Sequence, residues 1–560
     1  MRTCGFNPAK EIWATLSPFR ASSLALEQSR NSVCALLHRR HIWASKTDLA
    51  GTCETPVDDS LMRSGAMAKR LGGDLKEFRA LLAEVKALRG DVDLKAGVLM
   101  GSWGVDADKP KVVPRILNLA HYIALREHDL TDLQYRLAAR GLSSLGRSEG
   151  HVAEALDTLI ATLKRLTGDP GAPYLSPALA RAGTAELEAE TDRLFGKRQK
   201  GAPRARVMAT LPTEAAAEPE LVSSLVSAGM DCARINCAHD DPEVWGRMVE
   251  NVRAAAARLE RPCRVLMDIA GPKCRILRVK APPKTRLLRG DRVVLVDELR
   301  EKIKEPIAFS LNFPELIDQL VVGSEVFIDD GKAAARVIST APGRAEIEVY
   351  AAREKGVRLK PGKGVNFPAT ELDLPPLTSK DFRDLDFIAE HADLIGYSFV
   401  QRVDDIELLQ DHLVARAPER EPHGLVLKIE TPLAMRNLPP LIVQSAAHNP
   451  TAVMIARGDL AVELGFARLA EMQEEVLWLC EAAHTPVVWA TQVLDTFVRD
   501  GVASRAEMTD AAMAQGAECV MLNKGPYLAE GVAFLRDVLI RMDRHRAKKF
   551  DRFPPLKQWA

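Results

Sequence analysis

Three short words in the second half of the chain carry side chains able to do chemistry together: Lys428-Ile429-Glu430, Arg457-Gly458-Asp459 and Thr491-Gln492. Each follows a short apolar run, at 425–427, 453–456 and 487–490, and roughly thirty residues separate one word from the next. Lys428 and Glu430 stand two apart, on one face of an extended strand. The lysine offers a fixed cation, and Thr491 a hydroxyl. Glu430 and Asp459 are hard carboxylates of the kind that hold Mg²⁺. Gly458 admits a close backbone approach where a helix begins, and the unpaired N–H groups there suit an anion. The set describes a site that holds an anionic substrate beside a divalent cation.

Side chains so far apart in sequence meet only if their strands lie side by side. Apolar runs recur at 207–210, 232–236, 265–268, 394–398, 425–428, 453–456, 487–490 and 519–522, most of them separated by an amphipathic stretch long enough for a helix. Eight such units predict an α/β chain with a (β/α)₈ TIM barrel, whose functional face is the C-terminal end of its strands. The barrel is expected at 203–282 and 364–545, split by about 125 residues between the third run and the fourth. Within that gap, 283–363 alternates with period two around Gly-rich turns, as in E-V-F-I-D-D-G and A-E-I-E-V-Y. This predicts an inserted β-rich domain, able to close over the barrel mouth as a lid.

Upstream, Phe78, Leu81, Leu82, Val85 and Leu88 lie at helical steps closed by Gly90, and Ile116, Leu119, Ala120 and Ile123 repeat the pattern behind Pro114. Residues 70–198 therefore read as an N-terminal all-α domain. Its Ser/Gly/Arg stretch at 141–151 is either an anion-binding nest with Arg147 and His151 or a polar helix-capping loop. Residues 1–65 show no lasting periodicity and are rich in Ser and Arg. They read as a disordered leader, resembling a transit peptide or reflecting too early a start, since Met62 and Met67 follow. Residues 546–560 form a basic tail.

Lys+Arg and Asp+Glu both number 76, so no basic excess argues for nucleic acid. No apolar stretch is long enough for a transmembrane helix, and no membrane association is expected. Nine cysteines without C-x-x-C pairs predict free thiols in a reducing compartment. A cytoplasmic location is expected, or an organellar one if the leader is a real transit peptide.

K-I-E, A-R-G-D-L and A-T-Q, in this order and spacing, resemble the pyruvate kinase family, over about Arg206 to His545. Further words agree: A-R-I-N-C-A-H from Ala233, M-D-I-A-G-P-K-C-R from Met267, Asp329-Asp330-Gly331, and G-K-G-V-N-F-P around Lys363. The resemblance implies transfer of a phosphoryl group from phosphoenolpyruvate to ADP, giving pyruvate and ATP at the last step of glycolysis, with Mg²⁺ or Mn²⁺ as cofactor. It implies that Lys428, Thr491 and Arg234 are catalytic, and that Arg234 with Ala456, Arg457, Gly458, Asp459 and Thr491 binds the substrate. Glu430 and Asp459 would hold the divalent metal. His239, Arg275, Lys363 and Asp330 would face the nucleotide, and Asn236 and Asp268 a monovalent cation. A homo-oligomer is in keeping with the family. The family's C-terminal regulatory domain has no counterpart after His545, so no sugar-phosphate activator site of that type is expected.

Departures from the family pattern fall on two places. Ala238 stands where the family often has a K⁺-binding Ser, and Lys273 where K⁺-dependent members carry Glu. A fixed ammonium replacing or assisting the potassium charge predicts that K⁺ is not required. The nucleotide side is edited, with Pro212 in A-T-L-P-T, Ile269-Ala270, and Asn523-Lys524 after the last strand. The edits leave a second reading, a catalytically weak homologue that binds phosphoenolpyruvate as a sensor. A barrel lyase or aldolase would also use paired carboxylates, but needs no nucleotide lid.

Overall fold

Every run expected to be a barrel strand pairs in parallel with its neighbours in a computed structural model of the chain. The structure describes residues 65–105, 113–169, 174, 176, 179–300, 305–368, 370–548 and 550–551. The leader, apart from Gly65, and the last nine residues of the tail lie outside them. Two units are distinguished, Met1–Gly72 and Gly73–Ala560. Of the first, only the opening turns of the helix Gly65–Ser102 are described.

The barrel strands are β1 (Arg206–Thr210), β2 (Cys232–Asn236) and β3 (Arg264–Asp268), then, after the insert, β11 (Leu394–Tyr397), β12 (Gly424–Ile429), β13 (Thr451–Ala456), β14 (Val487–Ala490) and β15 (Cys519–Leu522). They close in the order β1-β15-β14-β13-β12-β11-β3-β2. Alternate residues point inward, so Met208, Leu266, Val426, Met454, Val488 and Met521 fill the interior, while their sequence neighbours pack under the surrounding helices.

The insert forms a sheet of seven strands, in the order β10-β7-β8-β9-β5-β6-β4, around its own apolar core. The strands are β4 (Ile276–Lys280), β5 (Arg292–Val296), β6 (Ala308–Leu311), β7 (Glu325–Ile328), β8 (Ala333–Ala341), β9 (Arg344–Ala352) and β10 (Val365–Asn366). Both edges extend past the expected 283–363, because the junction strands β4 and β10 pair within this sheet. The Asn366 side-chain amide donates to Glu463 at 2.8 Å, tying the insert to the helix Arg457–Leu464. Burial pushes the Glu463 carboxyl up to about 7, partly offset by Asn366.

The helical region begins at Gly65. Its first helix runs through Gly90 to Ser102, so Gly90 does not close it. The apolar face continues past the glycine with Val92 and Ala96, both fully buried, and their packing outweighs the ~1 kcal/mol helix penalty of Gly. At the other end of the region, Leu194 and Phe195 finish the helix Ala182–Phe195 and join the barrel interior. A Cβ on Gly424, the first residue of β12, would stand 2.7 Å from Leu194, so this plug enters at the N-terminal end of the strands. The His484 ring fixes the same junction: Nε2 donates to the Gly150 carbonyl at 2.9 Å, and Nδ1 faces Glu186 at 3.0 Å.

Two substitutions test these contacts. A Cβ on Gly183 would lie 2.1 Å from the Gly150 oxygen, whereas one on Gly97 meets nothing within 4 Å. Gly183→Ala is expected to lose about 1–3 kcal/mol in urea unfolding, and Gly97→Ala to lose nothing. The lid contact depends on pH. The ordinary Glu463 pKa is 4.5, so with a folded value of about 7 the folded state holds more protons between the two. Stability then falls as pH rises through that window, by at most ~3 kcal/mol. Glu463→Gln keeps an acceptor for Asn366 without the charge. It should be more stable than wild type at pH 8 by ~1–3 kcal/mol and equal to it near pH 4.5; equality at both would refute the assignment.

Candidate active site

The strand ends bring one carboxylate between two cations. Asp268 ends β3 and is 1% exposed. Its Oδ2 accepts from Arg234 Nε at 2.8 Å and lies 3.3 Å from the Lys428 ammonium. Its Oδ1 has no hydrogen-bond partner. That oxygen lies over Gly396 of β11, where a Cβ would come within 1.8 Å, so only glycine leaves it room. Burial would raise the Asp268 pKa, but Arg234 and Lys428 outweigh it and hold the carboxyl below its usual range. Burial would likewise lower Lys428, yet Asp268 and Glu430 keep its ammonium charged.

Lys428 also donates to Ser398 Oγ at 2.7 Å and stands 3.4 Å from Glu430. The Ser398 hydroxyl in turn donates to the Ile269 carbonyl at 2.8 Å. Glu430 Oε2 accepts the Phe399 N–H at 2.6 Å. Burial raises the Glu430 pKa, Lys428 opposes this, and Asp459 adds to it. A divalent cation would relieve both carboxylates. Glu430 and Asp459 are two hard carboxylates, a set that fits Mg²⁺ completed by substrate and water rather than a protein cage. The described residues contain no cluster of three or more His, Cys, Asp or Glu placed to bind a metal.

Asp459 lies in the first turn of Arg457–Leu464, directly after β13. Its Oδ1 accepts from the Lys273 ammonium at 2.6 Å. The sequence placed Lys273 beside Asn236 and Asp268. The structure instead aims it at the metal-type carboxylate, because its stem runs past Gly364, 3.4 Å from where a Cβ would sit. Asn236 Oδ1 accepts from its own loop, at Ala238 N, 3.1 Å. Arg457 does not reach into the opening: its guanidinium binds Asp510 and the carbonyls of Ala490 and Thr491 and lies over Trp489, holding the turn to β14. The Gly458 N–H donates to Thr491 Oγ1 at 2.8 Å. Thr491, Gln492 and Leu494 all have positive φ, at 61°, 59° and 52°. A β-branched residue in that region is strained, and strain of this kind gathers at functional sites.

A cavity of about 180 Å³ opens beside Arg234, lined by Thr210, Asn236, His239, Asn523 and Lys524. Burial, then the nearby Lys524 and Arg275, lower the His239 pKa. The other nucleotide-side residues belong to the lid and its hinge. Arg275 donates to the Gly362 carbonyl at 3.0 Å, Lys363 pairs with Asp329 at 2.9 Å, and Asp330 has a φ of 55° across Gly364 from Lys273. They are not in contact with Lys428.

Sequence reasoning missed Ser398, Phe399, Asp381 and Asp510. Ser398 ends an apolar run as the other site residues do, and the same rule finds it. Asp381 fixes the Ala270 and Gly271 N–H groups at 3.0 and 3.2 Å, and Asp510 clamps Arg457 at 2.9 Å; the word Thr378-Ser379-Lys380-Asp381 marks Asp381 as a helix-capping acid but not as a partner of that loop.

Comparison with known proteins agrees with this geometry. Residues 202–532 match the family model described as pyruvate kinase, barrel domain. The chain is 33% identical over 352 residues to a pyruvate kinase of Agrobacterium vitis, covering 61% of this chain and 69% of that one. It is 32% identical over 335 residues to one from Bacillus licheniformis, covering 58% and 54%, and 31% identical over 328 residues to pyruvate kinase 2 of Trypanosoma brucei brucei, covering 57% and 64%. The match thus spans from about half to somewhat over two thirds of these relatives. A barrel closed in this order, with these strand ends and a family match over most of it, makes the chain a member of the pyruvate kinase family.

Proposed function

We propose that the chain transfers the phosphoryl group of phosphoenolpyruvate to ADP, forming pyruvate and ATP, as a phosphotransferase of the cytoplasm. The observation that carries this reading is the buried Lys428, held charged between Asp268 and Glu430 at the mouth of the barrel. Its ammonium faces the position where the P–O bond to the enol oxygen breaks and enolate charge develops. Such a preplaced cation supplies roughly 3 kcal/mol or more to the barrier. Arg234 grips the phosphoryl oxygens with the N–H groups of its planar fork that are not spent on Asp268 and Thr210. The N–H groups of the 457–459 turn not spent on Thr491, together with the Thr491 side chain, hold the substrate carboxylate. Thr491 Oγ1 already accepts from Gly458, so its hydroxyl proton is free to enter the relay that delivers a proton to the enolate carbon.

Glu430 and Asp459 are the residues that would hold Mg²⁺ or Mn²⁺, which when bound neutralises phosphoryl and carboxylate charge. His239, Lys524, Arg275 and, from the lid, Lys363 and Asp330 are assigned to the ADP side. K⁺-independence rests on the sequence departures at Ala238 and Lys273, since the Lys273 ammonium pairs with Asp459 and not with Asn236 or Asp268. The lid, tied down through Asn366 and Glu463, excludes water from the transferring group.

Steady-state pyruvate formation from phosphoenolpyruvate and ADP, with Mg²⁺, tests both points. Turnover above roughly 1 s⁻¹ is expected, falling at least about 100-fold in Lys428→Met and unchanged when K⁺ is replaced by tetramethylammonium. A several-fold loss without K⁺ would instead put a monovalent cation against Asp268 Oδ1. No turnover, with Mg²⁺-dependent phosphoenolpyruvate binding retained, would make the chain a sensor.

A further inference from the structure

The lid joins the barrel through two stretches of chain. One leaves β3 at Asp268 and reaches β4 at Ile276; the other leaves β10 at Asn366 and reaches the helix Ser379–His391. Both meet at a single side chain. Asp381, in the first turn of that helix, is 0% exposed. Its Oδ1 accepts the Ala270 and Gly271 N–H groups of the first stretch at 3.0 and 3.2 Å. Its Oδ2 accepts the N–H and the hydroxyl of Thr378, the last residue of the second stretch, at 2.8 and 2.7 Å. We propose that Asp381 is a positioning residue that pins both roots of the lid with one carboxylate and keeps them in register with Lys428. The proposal deepens the phosphotransfer reading and rests on it for its kinetic consequence alone.

Capping alone does not account for this arrangement. A capping box asks an acid in the third helical position to reach back to the cap N–H, which Oδ2 does. Such an acid needs only one oxygen and ordinarily stays in water. Here the whole group is buried, and the oxygen that the cap leaves over is spent on the lid's entry stretch. A carboxylate has roughly four acceptor sites, so four donors occupy it fully and its role is mechanical. Those donors, with the N-terminus of the helix, offset the cost of burying the charge.

The entry stretch leads from there to the lysine. Gly271 has a φ of 67°, and a Cβ on it would stand 2.8 Å from the Ser398 carbonyl oxygen and 2.9 Å from the Ser398 Cβ. The stretch therefore lies directly against Ser398. The Ser398 hydroxyl donates to the Ile269 carbonyl at 2.8 Å and accepts from Lys428 Nζ at 2.7 Å. Ile269 is itself held to β11, its N–H donating to the Gly396 carbonyl at 3.0 Å. The root that Asp381 fixes is thus bonded to the same serine that orients the ammonium. Loosening that root impairs lid closure and Lys428 placement together, while the 457–459 turn and Thr491, on other strands, keep their places. The loss falls on turnover rather than on substrate binding.

The test compares the full chain as wild type, Asp381→Ala and Thr378→Ala, by amide hydrogen exchange without ligand and by steady-state kinetics. Thr378→Ala removes the cap hydroxyl and leaves Oδ1 on the entry stretch, so it reports the loss of a cap alone. In wild type the Ala270 and Gly271 amides should exchange as slowly as those of the neighbouring barrel strands. They should exchange at least about tenfold faster in Asp381→Ala and within about twofold of wild type in Thr378→Ala. In Asp381→Ala, kcat should fall at least about tenfold with the KM for phosphoenolpyruvate changed by less than about threefold, and Thr378→Ala should keep most of its kcat. Fast exchange of the two amides in wild type, a measurement that needs no variant to fold, would overturn the proposal. Equal exchange or equal kcat in the two variants would overturn it as well. Absence of turnover in wild type would count against the phosphotransfer reading instead, and the exchange comparison would still decide the role of Asp381.

Discussion

Asp268 is an acid with almost no access to water, and it stays ionised only because two cations share one of its oxygens. The rest of the mouth follows from that constraint. Arg234 must stand on β2 within reach of it, Lys428 must stand near the end of β12 within reach, and β11 must carry Gly396, since any side chain there would strike the carboxylate. Replacing such a cluster by apolar residues would often be neutral for stability. Here the arrangement leaves a desolvated ammonium aimed into the opening, and its value lies in the field it creates there.

The two ends of the barrel are settled by different physics. At the C-terminal ends, charges hold one another and the strands supply only position. At the N-terminal ends, Leu194 and Phe195 enter the barrel from outside and the His484 ring bonds back to the helical region. The helices upstream of the barrel are thus part of its core, and the contact lies just before β14, the strand that leads to Thr491. The lid has a core of its own, and its junction strands β4 and β10 pair with lid neighbours, so it is a separate folding layer joined to the barrel at few places.

Much of this was legible in the sequence because apolar runs with period-two packing and a polar residue at the end have few alternatives. All eight strands lie within two residues of the runs that predicted them. The pair Lys428 and Glu430 was legible for the same reason. Lys273 was not, because its partner depends on where a five-bond side chain runs past Gly364, and spacing carries no record of that. Asp510 was hidden in a helix, where an acid reads as a solvated face, and Asp381 read only as the acid of a capping box. Gly90 misled because glycine punctuates short helices, and only the burial of Val92 and Ala96 shows that this one continues.

The central claim, that the buried charges at the mouth hold one another in place, is tested most directly by a double-mutant cycle on unfolding free energy. Asp268→Asn should cost about 3–5 kcal/mol by leaving Arg234 and Lys428 uncompensated, and much of that loss should be recovered in Asp268→Asn/Lys428→Met. A variant as stable as wild type, or losses that simply add, would contradict it.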